Sequence, residues 1–209
     1  MPETRARPEP STPRHLSRIR GFYLADLFTI ANGVCGATAI FQSMKFLSNH
    51  APRHLFLAFA LIVAALVFDV LDGWIARWRH AASAMGRELD SLADVISFGV
   101  SPAAIAFAAG VNSWLDQVIL LYFVACGLSR LARFNITAES LSGKKGKVAY
   151  FEGTPIPTSV VPLGLLVLAF SAGNLFPMHI FGITLHAVVL LFLLSGSLMI
   201  SKTLRIPKP

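Results

Sequence analysis

Four aspartates lie within a short stretch of the chain, residues 69–94, that is otherwise mostly apolar or basic. Asp69 and Asp72 are spaced i, i+3, and Asp90 and Asp94 are spaced i, i+4, so each pair lies on one face of a helix. Apolar residues fill positions 55–68 before the first pair and most of positions 95–109 after the second. An antiparallel helix pair would therefore bring all four carboxylates to a similar depth in one crevice.

Four carboxylates in one small volume require compensating cations. Each ionised aspartate at membrane depth costs about 2.5 to 3.5 kcal/mol on insertion scales, and the like charges also repel one another. Mg²⁺ and Mn²⁺ prefer oxygen ligands, and two divalent ions roughly 4 Å apart form the usual clamp for displacement at phosphorus. The stretch therefore predicts a site for two divalent cations, Mg²⁺ or Mn²⁺, with the candidate ligands Asp69, Asp72, Asp90 and Asp94.

The elements that position these residues are predicted to be transmembrane helices. Of the 209 residues, 55% are hydrophobic and 14% are charged, and several apolar runs approach the roughly 20 residues that span a bilayer. We predict an all-α integral membrane fold, in which six transmembrane helices surround a polar, metal-binding cleft. Their approximate bounds are residues 22–47, 53–78, 88–110, 115–134, 155–172 and 180–200.

The two ends of the chain differ from this helical domain, which we assign to residues 14–200. Residues 1–13 are polar and rich in proline, which predicts a disordered tail. Residues 14–20 alternate basic with apolar side chains, as a short interfacial helix would. Residues 201–209 form a basic C-terminal tail, and no signal peptide is apparent.

The basic residues of the chain, whose net charge is +7, cluster in tails and in alternate connections. At the ends of the helices joined by the first, third and fifth connections, and in these connections themselves, the only lysines and arginines are Lys45 and Arg53. By the positive-inside rule, both termini and the aspartates should face the cytoplasm of a cell membrane. This pattern explains the bases better than nucleic-acid binding does, and the lysine loop at residues 143–147 lacks a Walker pattern.

The first helix carries a polar stripe of Asp26, Thr29 and Asn32, with Gly33 and Gly36 beside it. Polar side chains that face lipid are costly. We therefore expect this stripe to face the aspartate crevice.

The aspartates also belong to a longer motif. Residues 69–77 read DVLDGWIAR and residues 86–94 read GRELDSLAD, with eight residues between them. This pattern resembles the signature of the CDP-alcohol phosphatidyltransferases, membrane enzymes of phospholipid synthesis. The resemblance implies that Asp69, Asp72 and Asp90 hold two divalent metals and that Asp94 is the general base. It also implies a CDP or nucleotide site formed by Thr29, Asn32, Gly73, Ala76, Arg77 and Gly86.

Within that family, residues 87–99, 130–135 and 151–157 are similar to the integral-membrane phosphatidylserine synthases. The similarity implies a transferase that uses CDP-diacylglycerol and serine, works among membrane lipids and forms a homodimer. Its acceptor or lipid-phosphate site would use Arg130, Arg133, Asn135, Glu152 and Thr154. A departure from the family is Ala25-Asp26, where a Pro-Asn pair is common.

Two alternatives remain open from the sequence. The same transfer could go to another polar alcohol, glycerol phosphate or inositol phosphate. A divalent-cation transporter could also use such carboxylates, although its site would be expected at the midplane between inverted repeats.

Overall fold

A computed structural model describes residues 24–79, 84–142, 150–180, 182–201 and 205–207. The predicted tail (1–13), the interfacial helix (14–20) and the lysine loop (143–147) lie outside these residues, as does most of the basic C-terminal tail. The side chains of Ala76, Arg77 and Glu152 also lie outside the described part of the chain.

The described chain is mostly helical, as the sequence predicts. A π-helical segment, Val95–Val100, joins α3 to α4 without a break, and a 3₁₀ turn, Ile156–Ser159, leads into α6. The α-helices are α1 (Leu24–Asn49), α2 (Pro52–Arg79), α3 (Ala84–Asp94), α4 (Ser101–Ala108), α5 (Trp114–Ser142), α6 (Val160–Ser171) and α7 (Val189–Ile200).

Four helical spans in the described residues are long and apolar enough to cross a membrane: Asp26–Asn49, Pro52–Ile75, Met85–Ala108 and Trp114–Ile136. The third of them is α3, the π segment and α4 taken together. Two further apolar helices, Ile156–Ser171 and Val189–Ile200, are shorter. The chain is therefore an integral membrane protein, and the count of six spans stays a prediction.

The prediction that a sixth helix begins near residue 180 is wrong. An antiparallel hairpin of β2 (Pro177–Ile180) and β3 (Ile183–His186) occupies this region, and α7 begins only at Val189. Gly182 has φ +81°, which glycine adopts without steric cost. The β-branched residues Ile180, Ile183 and Thr184 favour strands, so local preferences override the apolar run.

Asp116 anchors this hairpin to the start of α5. Its carboxylate is fully buried and accepts hydrogen bonds from the backbone N–H groups of Ser113 (3.0 Å) and His186 (3.0 Å). The carboxylate also lies 2.6 Å from the Nδ1 atom of His186. Short strands β1 (Tyr150–Glu152) and β4 (Arg205–Pro207) pair antiparallel in a second two-stranded sheet.

Packing among the helices is close where small residues allow it. Gly196 of α7 faces α5 so closely that a Cβ atom there would lie 3.2 Å from the Cα atom of Phe123. The rings of Phe123 and Phe192 meet edge to face, 5.4 Å apart. Cys126 is buried in this interface with a free thiol, as expected for a small apolar residue.

Candidate functional site

Three of the four aspartates form one cluster, Asp69 and Asp72 from α2 and Asp90 from α3, and Asp94 lies one turn beyond Asp90. Carboxylate oxygens of Asp69, Asp72 and Asp90 lie within 4.8 Å of one another. Asp72 and Asp94 are buried, and Asp69 and Asp90 are half-buried. The helix spacings thus correctly predict that Asp69, Asp72 and Asp90 meet, and α2 and α3 reach this point by packing against α1.

The cluster fits a hard divalent cation. All of its donors are carboxylate oxygens, which Mg²⁺ and Mn²⁺ prefer. Asp90 Oδ1 is buried and has no hydrogen-bond partner within the described structure, and such an oxygen is costly unless something else satisfies it. A separation of up to 4.8 Å is close to that of oxygens on opposite sides of a divalent ion, about 4 to 5 Å.

Arg130 of α5 supplies positive charge to the cluster. Its guanidinium interacts electrostatically with Asp69, Asp90 and Asp94, and it also lies 5.7 Å from the ring centroid of Phe134. Arg133, three residues further along the same helix, is half-buried. Arg130, one of the two arginines predicted for the acceptor or lipid-phosphate site, therefore interacts with the aspartate carboxylates.

The polar stripe of α1 faces the aspartates, as predicted. The Thr29 hydroxyl donates a hydrogen bond to Asp72 Oδ2 (2.8 Å), and Asn32 Nδ2 donates to Asp94 Oδ1 (3.3 Å). Asp26, in the same stripe, is also buried. Two residues predicted to surround the nucleotide thus contact the aspartates themselves.

Beyond Asp94, two buried serines bind the backbone of α1. Ser97 Oγ donates to the carbonyl oxygen of Asn32 (2.9 Å), and Ser101 Oγ donates to that of Gly36 (2.9 Å). Sequence reasoning missed both serines. The sequence does contain a pattern that indicates them, because they follow Asp94 at i+3 and i+7 and so lie on the helix face that could meet the glycines of α1.

The remaining nucleotide candidates lie beside the carboxylates along the chain. Gly73 follows Asp72 in α2, and Gly86 lies one turn before Asp90 in α3. Both glycines are half-buried. The roles predicted for Ala76 and Arg77 concern side chains outside the described residues.

Asn135, one of the acceptor candidates, links α5 to α3. Its side-chain amide exchanges hydrogen bonds with the Ser91 hydroxyl (3.1 and 3.2 Å), and Nδ2 also donates to Glu88 Oε2 (3.4 Å). Ser91 is the neighbour of Asp90 in the chain. Asn135 therefore helps to fix the helix that carries two of the aspartates.

Thr154 lies against α7, where its backbone N–H donates to the carbonyl oxygen of Leu198 (3.3 Å). Its hydroxyl oxygen is buried without a partner in the described structure. Together with Leu165, Leu194 and other residues of α6 and α7, Thr154 lines a mostly apolar cavity of about 250 Å³. None of the cavity's lining residues belongs to the aspartate cluster.

Comparison with known proteins decides the family. The model of the CDP-alcohol phosphatidyltransferase family matches residues 22–197. The chain belongs to this family. The matched region contains α1 to α6 and most of α7, and therefore the whole aspartate cluster.

Several curated relatives of the chain are named as serine O-phosphatidyltransferases or as a related synthase. The chain is 42% identical over 208 residues to a CDP-diacylglycerol–serine O-phosphatidyltransferase of Saccharomyces cerevisiae, covering 95% of this chain and 75% of the relative. A protein of the same name from Mycobacterium tuberculosis is 37% identical over 153 residues, covering 72% and 51%. An archaetidylserine synthase from Methanothermobacter thermautotrophicus is 35% identical over 148 residues, covering 69% and 58%. The chain thus spans about half the length of the mycobacterial relative.

Proposed function

We propose that this protein transfers a phosphatidyl group from CDP-diacylglycerol to the hydroxyl of L-serine, giving phosphatidylserine and CMP. The observation that carries the proposal is the convergence of Asp69, Asp72 and Asp90 within 4.8 Å, with Asp94 buried beside them. Membership of the family supports the transfer reaction. Curated relatives named for the serine reaction support the choice of acceptor.

Two divalent cations, Mg²⁺ or Mn²⁺, complete the site in this proposal, held by Asp69, Asp72 and Asp90 and within reach of Asp94. When bound, such ions neutralise a pyrophosphate and stabilise the departing CMP. The unsatisfied Oδ1 atom of Asp90 is a natural ligand for one of them. Thr29, which donates to Asp72, orients a second ligand.

Asp94 is the proposed general base. The serine hydroxyl loses its proton as its oxygen forms a bond to the phosphorus of the phosphatidyl group, and the bond from that phosphorus to CMP breaks. CMP leaves with the bonding electron pair, and the proton passes to the Asp94 carboxylate. Asn32 Nδ2 contacts Oδ1 of Asp94, which leaves the other carboxylate oxygen to receive the proton.

The nucleotide end of the donor is proposed to lie along α2 and α3. Gly73 and Gly86 leave room for close approach of the nucleotide because they carry no side chain, and Ala76 keeps the wall thin. Arg77 offers a forked donor to phosphate oxygens. Thr29 completes this side of the cleft from α1.

The acceptor is proposed to bind next to α5. Serine presents a carboxylate, which a guanidinium recognises well, and Arg130 and Arg133 are the candidates. Arg130 interacts with three of the aspartates. Arg133 follows it by three residues, on the same face of α5, and we propose that Arg133 binds the serine carboxylate. Asn135, Glu152 and Thr154 remain proposed contributors to the wall of this site and to the binding of the serine ammonium.

The proposal includes a topology and an assembly. Six spans, with the helices of residues 156–171 and 189–200 as the fifth and sixth, would leave both termini and the aspartates in the cytoplasm. A twelve-residue helix such as α7 is about 18 Å long, shorter than the roughly 30 Å apolar layer of a bilayer. A homodimer is the proposed assembly, and small residues on the later helices permit close packing.

An acceptor panel tests this function. Purified protein in lipid nanodiscs receives CDP-diacylglycerol, Mn²⁺ and, in separate reactions, serine, glycerol phosphate or inositol phosphate, and both CMP and the lipid product are measured. We expect serine to give phosphatidylserine with matching CMP. A preference for a phosphorylated alcohol would refute the serine assignment, and release of no CMP with any acceptor would refute the transferase.

Variants of the aspartates test the assigned roles in the same assay. Asp94→Asn should reduce kcat far more than it weakens CDP-diacylglycerol binding, because it removes the base and keeps the shape. Asp116→Asn is the matched control, since Asp116 is an equally buried carboxylate outside the cluster. Equal loss of turnover and donor binding in Asp94→Asn would make Asp94 a ligand instead of the base.

A further inference from the structure

The proposed general base, Asp94, lies where an α-helix changes to a π-helix. Asp94 is the last residue of α3, and the π segment begins at Val95. A π turn contains an extra residue per turn, and such turns occur frequently at functional sites. Here the turn ends with the N–H of Ser101 donating to the carbonyl oxygen of Ile96, which also accepts the Ser101 hydroxyl (2.7 Å).

Around Asp94, this turn takes part in a closed set of contacts. Asn32 Nδ2 donates to Asp94 Oδ1, and the carbonyl oxygen of the same Asn32 accepts the Ser97 hydroxyl. Ser97 follows Asp94 by three residues, so the backbone of the π segment closes the ring. Asn32 of α1 is thus bound at its side chain by Asp94 and at its backbone carbonyl by Ser97 of the π segment.

Asn32 is buried where α1 meets the π segment. Asn32 and Ser97 are both fully buried, and Asn32 Oδ1 has no hydrogen-bond partner within the described structure. The amide is therefore held by its contact with Asp94 and by the placement of its backbone. Ser97 ties that backbone to the π segment, and Gly36, one turn further along α1, lets the two helices approach closely.

We propose that Asn32 and Ser97 form a positioning pair that orients the Asp94 carboxylate for proton transfer from the acceptor hydroxyl. This inference rests on the proposed function, in which Asp94 is the base. Asn32 acts directly on the carboxylate, and Ser97 acts through Asn32. Neither residue needs to touch the nucleotide for this role, which separates it from the nucleotide-binding role predicted for Asn32.

A double-mutant cycle tests the pair. Ser97→Ala and Asn32→Ala should each lower kcat for phosphatidylserine formation, by roughly tenfold to a hundredfold, the cost of a small misplacement of a catalytic group. Binding of CDP-diacylglycerol and of Mn²⁺, the latter followed by electron paramagnetic resonance, should be unchanged. Because Ser97 acts through Asn32, the double variant should be no slower than Asn32→Ala alone.

Ser101→Ala is the matched control. Ser101 is equally buried and donates an equivalent hydrogen bond to a carbonyl group of α1, but its partner is Gly36, which does not contact Asp94. Ser101→Ala should therefore keep the kcat of the wild type, even if it lowers the melting temperature. Losses of kcat that are equal in Ser97→Ala and Ser101→Ala would overturn the proposal, as would fully additive losses in the double variant.

Two further measurements keep the proposal open to refutation. If Ser97→Ala does not fold, Ser97→Cys keeps the side-chain shape but donates weakly and should show the same reduced kcat with intact donor binding. Weakened CDP-diacylglycerol binding in Asn32→Ala would assign Asn32 to the nucleotide and overturn the pair. A wild-type protein that makes no phosphatidylserine refutes the proposed function instead, and that result is read before any variant is compared.

Discussion

Replacing Gly36 with alanine should separate α1 from the helix that carries Asp90 and Asp94. An added Cβ atom would lie 2.7 Å from Ser97 Cα and 3.0 Å from Ser97 Cβ, and closer still to Ser97 Oγ. Backbone atoms are among these neighbours, so a change of rotamer cannot relieve the overlap. The two helices must move apart, or α1 must shift along its axis.

The size of the effect follows from the contacts. Overpacking of this kind costs about 1 to 3 kcal/mol. Separation also weakens the hydrogen bonds that Ser97 and Ser101 donate to α1, at about 0.6 kcal/mol each for polar contacts between membrane helices. The better helix propensity of alanine offsets up to about 1 kcal/mol. The net loss should be about 2 kcal/mol, or roughly 4 to 8 °C in Tm.

Thermal unfolding in detergent, followed by tryptophan fluorescence, measures this loss, and CMP release measures its effect on turnover. Gly164→Ala is the matched control, because a Cβ atom there would meet only the ring of Phe59 at 3.7 Å or more. We expect Gly36→Ala to lower both Tm and kcat and Gly164→Ala to lower neither. A Gly36→Ala protein with the Tm and turnover of the wild type would refute the close contact between α1 and the π segment.

Three other changes have distinct expected results. Thr29→Ala removes the hydrogen bond to Asp72 and should weaken Mn²⁺ binding by roughly tenfold, as titrated by electron paramagnetic resonance; an unchanged affinity would exclude this orienting role. Arg133→Ala should raise the KM for serine while Arg130→Ala mainly lowers kcat, and steady-state kinetics in which neither variant changes its parameter would reject our division of roles. Asp116→Asn should lower stability by about 1 to 3 kcal/mol through the hairpin while kcat stays unchanged, and a loss of kcat would connect that hairpin to the site.

The site was more predictable from the sequence than the fold around it. The spacings of Asp69 with Asp72 and of Asp90 with Asp94 fix their helix faces, and the cost of polar groups in lipid fixes the direction of Thr29 and Asn32. Both inferences use local geometry and one strong energetic term. The hydrogen bonds of α1 to Asp72 and Asp94 accordingly agree with them.

The details that the sequence did not reveal depend on competition between similar energies. The run before α7 is apolar enough for a helix, but its β-branched residues and the positive φ of Gly182 favour the hairpin that Asp116 anchors. The π segment likewise requires that Ser97 and Ser101 find carbonyl groups on a helix distant in the chain. Such partners are known only once the helices are packed.

The most direct test of the central claim is a matched count of products from the aspartate site. Wild-type protein, metal-stripped protein restored with Mn²⁺, and the Asp90→Asn variant would each receive CDP-diacylglycerol and radiolabelled serine, and phosphatidylserine and CMP would be counted together. We predict equal amounts of both products from the wild type, none after chelation, full recovery with Mn²⁺, and none from Asp90→Asn. Phosphatidylserine formation that persists in the chelator or in Asp90→Asn would contradict a metal-assisted transfer at these carboxylates.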